Sequence, residues 1–261
     1  MGAKHFGARV TRLEDPALLA GRGRFVDDVK LPGALHACFV RSPHAHAKLV
    51  SIDSKVALIM PGVHAVITAA DLPDSMRTRR LPLLLPNPAL ATTKTQHPLA
   101  RDEVCYVGQA VAVVIADTRY IAEDAAAAMI VQYDVLPAIS DCRTAAEDNA
   151  PHVHGDLSSN VAASFRMAYG DTDAAFADAA HVFTEGLWQH RGGGMAMETR
   201  AVVASHDPAS DLLTVWSGTQ TPHLGRQALA DLLDRDLQSI RMIAPDVGGG
   251  FGPKAIFYPE E

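Results

Sequence analysis

Apolar positions recur along this 261-residue chain with two different periods. Leu35, Ala37 and Phe39 fall on one side of an extended segment and His36, Cys38 and Val40 on the other, which predicts a strand. Residues 48–52 predict a second, and Pro43 separates the two. Residues 54–60 suit a short helix ended by Pro61-Gly62, and residues 63–68 then form a compact apolar strand. The uninterrupted run from Ala110 to Ala116 is β-branched at its valines and predicts a central strand, because a strand covered on both faces needs no polar alternation. Thr118 is a candidate N-cap for an alanine-rich helix over residues 120–129, with a further strand at 130–133. Proline-rich residues 72–98 carry little periodicity and predict an extended surface loop. Leu13-Glu14-Asp15-Pro16 predicts a turn before a short helix.

Residues 141–159 mix Asp, Asn, Pro, His, Gly and Ser with no apolar period, so the domain boundary is expected at about 145–160. Beyond it, residues 181–189, 200–205 and 212–216 predict strands, with the clearest turn at Asp207-Pro208-Ala209-Ser210. Residues 223–233 predict a helix with Leu224, Leu229, Leu232 and Leu233 on roughly one side, and residues 240–244 a last strand. The expected division is an arm over 1–20, a mixed domain over 21–145, a linker over 146–160 and a second domain over 161–261. The fold class is α+β.

Composition narrows the partners. Hydrophobic residues make up 48% and charged residues 20%, with a net charge of −7, the profile of a globular protein with a real core. An acidic chain whose largest basic cluster is Arg77 to Arg80 is not expected to bind nucleic acid. Neither a signal-peptide core nor an 18-residue apolar run occurs, so no membrane span is expected and the chain reads as cytoplasmic. Cys38, Cys105 and Cys142 are odd in number and widely spaced, and are expected to be buried thiols.

The candidate chemistry gathers near the end of the chain, at Val247-Gly248-Gly249-Gly250-Phe251-Gly252-Pro253-Lys254. Adjacent glycines leave backbone N–H groups open to a polar ligand, with no Cβ in the way. A P-loop would need Gly before the lysine and Ser or Thr after it, but Pro253 and Ala255 stand there. A dinucleotide fingerprint starting at Gly248 and Gly250 would place its third glycine at Pro253. Both nucleotide readings fail on spacing, and a ligand-free glycine turn stays open.

Several motifs decide further. Ala244-Pro245-Asp246-Val247-Gly248-Gly249-Gly250-Phe251-Gly252-Pro253-Lys254 resembles the molybdenum-cofactor loop of the xanthine dehydrogenase and aldehyde oxidase large subunits. Trp216-Ser217-Gly218-Thr219-Gln220-Thr221-Pro222-His223 resembles their upstream cofactor-contacting loop. Gly21 to Asp28, Phe39 to Ala47 and Gly108 to Val114 resemble the opening of the same subunit. The resemblance runs from about Leu13 to Glu261, and residues 254–259 are closer to the carbon monoxide dehydrogenase-like bacterial branch than to the purine hydroxylases.

This resemblance implies a hammerhead domain over 21–145 followed by the first part of a molybdopterin-binding domain. It implies cofactor contacts by Gln220, Gly249, Gly250, Phe251 and Gly252, with Gln220 reaching the molybdenum centre and the Gly-Phe-Gly segment lying against the pterin. The cofactor is expected in its cytosine dinucleotide form, with 2Fe-2S clusters and FAD on partner subunits. The implied reaction oxidises an aldehyde, a heterocyclic carbon or a similar small substrate with water as oxygen source, and passes electrons through the clusters to the flavin. A non-catalytic assembly module is the alternative. Ala255 stands where purine-hydroxylating members carry a substrate-contacting glutamate, so purines are not the expected substrates. The base glutamate of the family lies several hundred residues beyond Glu261, so no catalytic residue is expected in this segment. The chain is expected to be a fragment, or one part of a split subunit, whose further partner is the rest of the molybdopterin subunit.

The remaining residue readings stay local. A side-chain amide just before Pro222 could equally cap the following helix. Glu198, after Gly192-Gly193-Gly194-Met195-Ala196-Met197, has the chemistry of a general base, although the family glutamate at this place is structural. His44 and His46 share one face of an extended segment at a spacing zinc can use, but no third ligand follows nearby. His152 and His154 in the linker are weaker still.

Overall fold

The computed structural model describes residues 6–83, 86–190 and 192–261. Its elements in chain order begin with helix α1 (Asp15–Leu19), strands β1 (His36–Arg41) and β2 (Ala47–Asp53), helix α2 (Lys55–Leu58) and strand β3 (Val63–Thr68). Helix α3 (Asp74–Thr78), strands β4 (Glu103–Val104) and β5 (Ala110–Ala116), helix α4 (Arg119–Ala127) and strand β6 (Ile130–Val135) follow. Helix α5 (Thr172–Ala177), strands β7 (Val202–Asp207) and β8 (Leu212–Ser217), helix α6 (Pro222–Leu233) and strand β9 (Ile240–Ile243) complete the set.

The first sheet has the order β1-β5-β3 with both pairings antiparallel. Its middle strand is the apolar run the sequence placed at the centre. Val111 packs into a cluster with Ala47, Ala100 and Val104, whereas Val114 packs the other way with Ala57 and Ala125. Successive residues point to opposite faces, so a run without polar residues is what a doubly covered strand requires. Helix α4 closes one face. Its N-cap, Thr118, accepts from the Ile121 amide at 3.2 Å, and its small Ala122 and Ala125 let it approach the sheet closely. The second sheet, β4-β2-β6, lies beside the first and is antiparallel throughout.

The third sheet differs in one way that matters for the site. Strand β7 runs antiparallel to β8, but β8 runs parallel to β9, with Trp216 opposite Ile243 at the end of the pairing. Parallel neighbours need a crossover, which α6 supplies. Helix α6 packs on this sheet through Leu229 and Ala230 against Val215 and Ile240. At Gly225 a Cβ would come within 2.6 Å of Met242 Sδ, so a side chain there would have to displace the end of Met242 for the helix to lie where it does. Leu224 points outward, contrary to the apolar side expected for it, while Leu229 and Leu232 are buried.

Other expectations need correcting. Residues 181–189 form no strand; they are exposed and have no regular secondary structure, with no neighbouring strand among the described residues to take up their backbone groups. The 72–98 segment is not featureless: it holds α3, buries Leu81, and hydrogen-bonds to itself from the Leu81 amide to the Gln96 carbonyl at 2.8 Å. Leu84 and Leu85 of that segment, and Met1 to His5 of the expected arm, lie outside the described residues. Cys142 is exposed, and Cys38 and Cys105 are only half-buried.

Glu260 binds the first half of the chain to the second. It accepts from Arg41 at 2.6 Å and from Arg200 at 3.2 Å, and Arg200 also lies over the Tyr258 ring. Burial alone would raise the Glu260 carboxyl, but the Arg41 hydrogen bond and the Arg200 charge outweigh it and hold it below the ordinary glutamate value of 4.5. A depressed folded value means that this stabilisation is present above 4.5 and is lost as pH falls through the folded value.

Two measurements check this account. Val114→Ala opens space on a fully buried face and should lower stability by roughly 2 kcal/mol, read from the urea midpoint at unchanged slope. Glu260→Gln should flatten the acid limb of a stability-against-pH curve below pH 4.5, leaving the rest of the profile in place.

Candidate functional site

The loops after β8 and β9 leave the same end of a parallel strand pair, so residues thirty or more positions apart in sequence meet there. The first loop carries Gly218, Thr219 and Gln220, and the second runs from Asp246 to Lys254. Main-chain bonds join them. The Lys254 carbonyl accepts from the Gln220 amide at 2.8 Å and from Thr219 Oγ1 at 3.2 Å, and the Ala255 carbonyl accepts from Thr221 Oγ1 at 3.0 Å.

Beneath the second loop lies a buried ion pair. Lys254, only 3% exposed, donates from Nζ to Glu198 Oε2 at 2.7 Å, and the Gly248 amide donates to the same oxygen at 2.7 Å. The contact is close enough that a Cβ on Gly248 would come within 2.5 Å of Glu198 Cβ. Asp246 fixes the loop's start, accepting from the Arg24 amide at 2.8 Å and donating its own amide to the Arg24 carbonyl at 3.0 Å. Glu198 is thus committed to holding the loop, which supports the structural reading of that residue over the general base.

Gln220 turns toward the glycines. Its Oε1 accepts from the Gly252 amide at 2.9 Å, and because that backbone group can only donate, the carboxamide must present its oxygen inward and its NH2 outward. Helix α6 takes Thr221 as its N-cap with no side-chain cap, so the capping role is not the one Gln220 plays. A Cβ on Gly250 would fall 2.6 Å from Gln220 Cγ, so only glycine fits between carboxamide and loop.

Phe251 sits in the left-handed region at φ 52° between Gly249 at 96° and Gly252 at 97°. A left-handed phenylalanine costs backbone energy, and the ring recovers nothing from a core, since the residue is 72% exposed. It lies instead against two glycines: a Cβ on Gly249 would reach 2.7 Å from Phe251 Cε2, and one on Gly194 2.6 Å from Phe251 Cβ. Core filler is therefore not its role.

Of the sequence-predicted residues, Gln220, Gly250 and Gly252 are brought into contact, and Gly249 and Phe251 sit on the same turn. Among the described residues the amides of Gly249, Gly250 and Phe251 meet no protein acceptor, whereas those on either side do. Three consecutive free donors beside the outward NH2 of Gln220 fit an electron-rich, oxygen-bearing group, and the missing Cβ atoms let Gln220 and the Phe251 ring pack directly on the turn. The Lys254 and Asp246 anchors were not found from the sequence. Only the presence of a lysine beside a glycine run hinted at the first, and the failed P-loop match left it unassigned.

The buried pair can be tested directly. Lys254→Met leaves the Glu198 carboxylate buried without its cation and should destabilise the protein by about 3–5 kcal/mol. The double change with Glu198→Met should recover part of that loss, which a double-mutant cycle of denaturant midpoints would measure.

Two family models match the chain in order. Residues 20–137 match the aldehyde oxidase and xanthine dehydrogenase a/b hammerhead domain, and residues 153–261 the molybdopterin cofactor-binding domain. The nicotine 6-hydroxylase large subunit of Paenarthrobacter nicotinovorans is 38% identical over 98% of this chain and 31% of its own length. The carbon monoxide dehydrogenase large chain of Hydrogenophaga pseudoflava is 37% identical over 96% of this chain and 32% of its own. Quinoline 2-oxidoreductase from Pseudomonas putida 86 superposes with a TM-score of 0.88 at 36% identity, over 99% of this chain and 32% of its own. The chain spans about a third of the length of the relatives it matches. No helix among the described residues is long and apolar enough to cross a membrane. With a hammerhead domain leading into a cofactor-binding domain whose glycine turn faces a carboxamide, the chain belongs to the molybdopterin-binding large subunits of the xanthine dehydrogenase and aldehyde oxidase family.

Proposed function

We propose that this chain supplies the cofactor-gripping loops of a molybdenum hydroxylase, an enzyme that oxidises an aldehyde, a heterocyclic carbon or a similar small substrate with water as the oxygen source. The observation that carries this reading is the run of three unpartnered amides, Gly249, Gly250 and Phe251, beside the Gln220 carboxamide. When bound, the molybdopterin centre supplies the two-electron oxidation chemistry. The chain's own residues do the positioning. The glycine amides donate to oxygen ligands or the pterin edge, Phe251 forms a wall over the turn, and the outward NH2 of Gln220 donates without offering a competing metal ligand. The buried Lys254–Glu198 pair keeps these donors in place before any ligand arrives, so little ordering cost remains at binding.

The same reading includes the cytosine dinucleotide form of the cofactor, partner subunits bearing 2Fe-2S clusters and FAD, and a cytoplasmic location. It divides the chain into an arm over 1–20, a hammerhead domain over 21–145, a linker over 146–160 and part of a molybdopterin-binding domain over 161–261. It also assigns a surface to the remainder of the molybdopterin subunit. Phe165, Tyr169, Phe183, Leu187 and Trp188 stand exposed along residues 161–190, more apolar surface than an isolated face normally leaves in water.

Two variants in the assembled enzyme test the proposal. Gly250→Ala forces a Cβ into Gln220 and should strip molybdenum from the purified complex, read by elemental analysis. Gln220→Ala keeps the Lys254–Glu198 anchor beneath the turn but removes the carboxamide and should lower turnover roughly 10–100-fold. Undiminished molybdenum in the first variant and undiminished turnover in the second would overturn the reading in favour of an assembly module.

A further inference from the structure

A second cluster of chemistry-bearing side chains lies in the first half of the chain, outside the glycine loops. Glu103 on β4, Cys105 just after it, and His154 from the segment following β6 place one ligand atom each within 4.8 Å of one another. Cys105 Sγ is 3.1 Å from Glu103 Oε1 and 3.3 Å from His154 Nδ1. Ligand atoms around a tetrahedral zinc ion, with bonds of roughly 2.0–2.3 Å, are separated by about 3.3–3.8 Å. The cluster is therefore nearly at ligating distances already. It opens on a cavity of about 450 Å3, lined also by Arg80, Lys94 and Asp156.

An independent observation comes from His46. This histidine is 7% exposed, and its Nδ1 lies 2.8 Å from the Pro137 carbonyl. A carbonyl only accepts, so Nδ1 must carry the hydrogen, and in the neutral ring Nε2 is then a bare lone pair. That Nε2 is buried with no hydrogen-bond partner and lies 3.8 Å from Glu103 Oε2. Two electron-rich atoms face each other, the histidine buried and Glu103 half-buried, and a proton or a metal cation beside them relieves the conflict. A carbonyl fixing the far nitrogen of a histidine is also how metal-ligating rings are commonly oriented.

We propose that Glu103, Cys105 and His154 bind a zinc-class divalent cation, with His46 Nε2 beside it facing the Glu103 carboxylate. The donor set selects the class: thiolate and imidazole favour zinc over calcium or magnesium. Charge balances, because the Cys105 thiolate and the Glu103 carboxylate together neutralise a divalent ion, and the Cys105 proton leaves to solvent on binding. Of the neighbouring cations, Lys94 is paired with Asp156, while Arg80 donates to the neutral Thr95 carbonyl and keeps its charge. Gly155 donates its amide to Glu103 Oε1 at 3.3 Å, and a Cβ there would crowd Oε2 at 2.9 Å, so the carboxylate is held from the linker side as well. A reactive thiol is the rival use of Cys105. It is disfavoured because Cys105 is half-buried and its thiol already donates to the Glu103 carboxylate at 3.1 Å. The other rival is a proton on His46 Nε2 in place of the metal.

The test is a titration of the purified protein, stripped with chelator, at neutral pH. Zinc should bind saturably at one site, and cobalt in its place should give the near-ultraviolet absorption of a thiolate-bound ion. Cys105→Ser should abolish that band, and His154→Ala should weaken zinc by roughly tenfold or more. Absence of saturable zinc binding in the wild-type protein, or cobalt binding without a thiolate band, overturns the proposal. Both wild-type results stand whether or not the variants fold. Neither depends on molybdenum, so failure here would leave the reading of the glycine loops untouched.

Discussion

The geometry of the glycine loops depends on one buried charge pair. A lysine taken from water is costly unless paired, and Lys254 has a single carboxylate, Glu198, whose Oε2 is shared with the Gly248 amide. A flexible run of glycines has many conformations of similar energy. Fixing both of its ends to one oxygen selects among them, and the left-handed Phe251 is tolerated because the anchors on either side overdetermine the turn. What the pair contributes is one conformation, in which three consecutive amides are left without a protein acceptor.

The parallel pairing of β8 and β9 provides the other half of the arrangement. Had β9 run antiparallel to β8, their loops would leave opposite ends of the sheet and Gln220 could not reach Gly252. The crossover helix makes the parallel pairing possible, and Gly225 lets it lie against Met242. Arg24 on Asp246 and Arg41 on Glu260 then tie the first half of the chain to the loop's two flanks. Residues far from the turn thereby constrain its approach.

How far the sequence disclosed this follows from the range of the interactions. Strand β5 and the Thr118 cap were legible because their signals are local: a doubly buried strand shows in its own residues, and a cap shows within one turn. Gln220 and the Gly-Phe-Gly turn were legible only because a family motif marks them. Glu198 was noticed, but its partner lies 56 residues away, and no spacing rule joins an acid to a lysine at that distance. The same holds for Glu103, Cys105, His46 and His154. The pair of histidines at 44 and 46 suggested zinc by spacing, yet the fold sends His44 against the Tyr133 ring and only His46 toward the cluster.

Residues 181–189 show the opposite failure, where a local pattern was real and the structure it predicts is absent. Alternation tells which side chains can share a face, but a strand exists only when its amides and carbonyls find a neighbour. Among the described residues none is offered, and Val182, Phe183, Leu187 and Trp188 stay in solvent. Pattern without a partner is what a segment shaped for a surface elsewhere should display. Exposed apolar side chains also occur on the second sheet, at Val50, Ile130 and Val135, but there the strands already have a neighbour to take up their backbone groups.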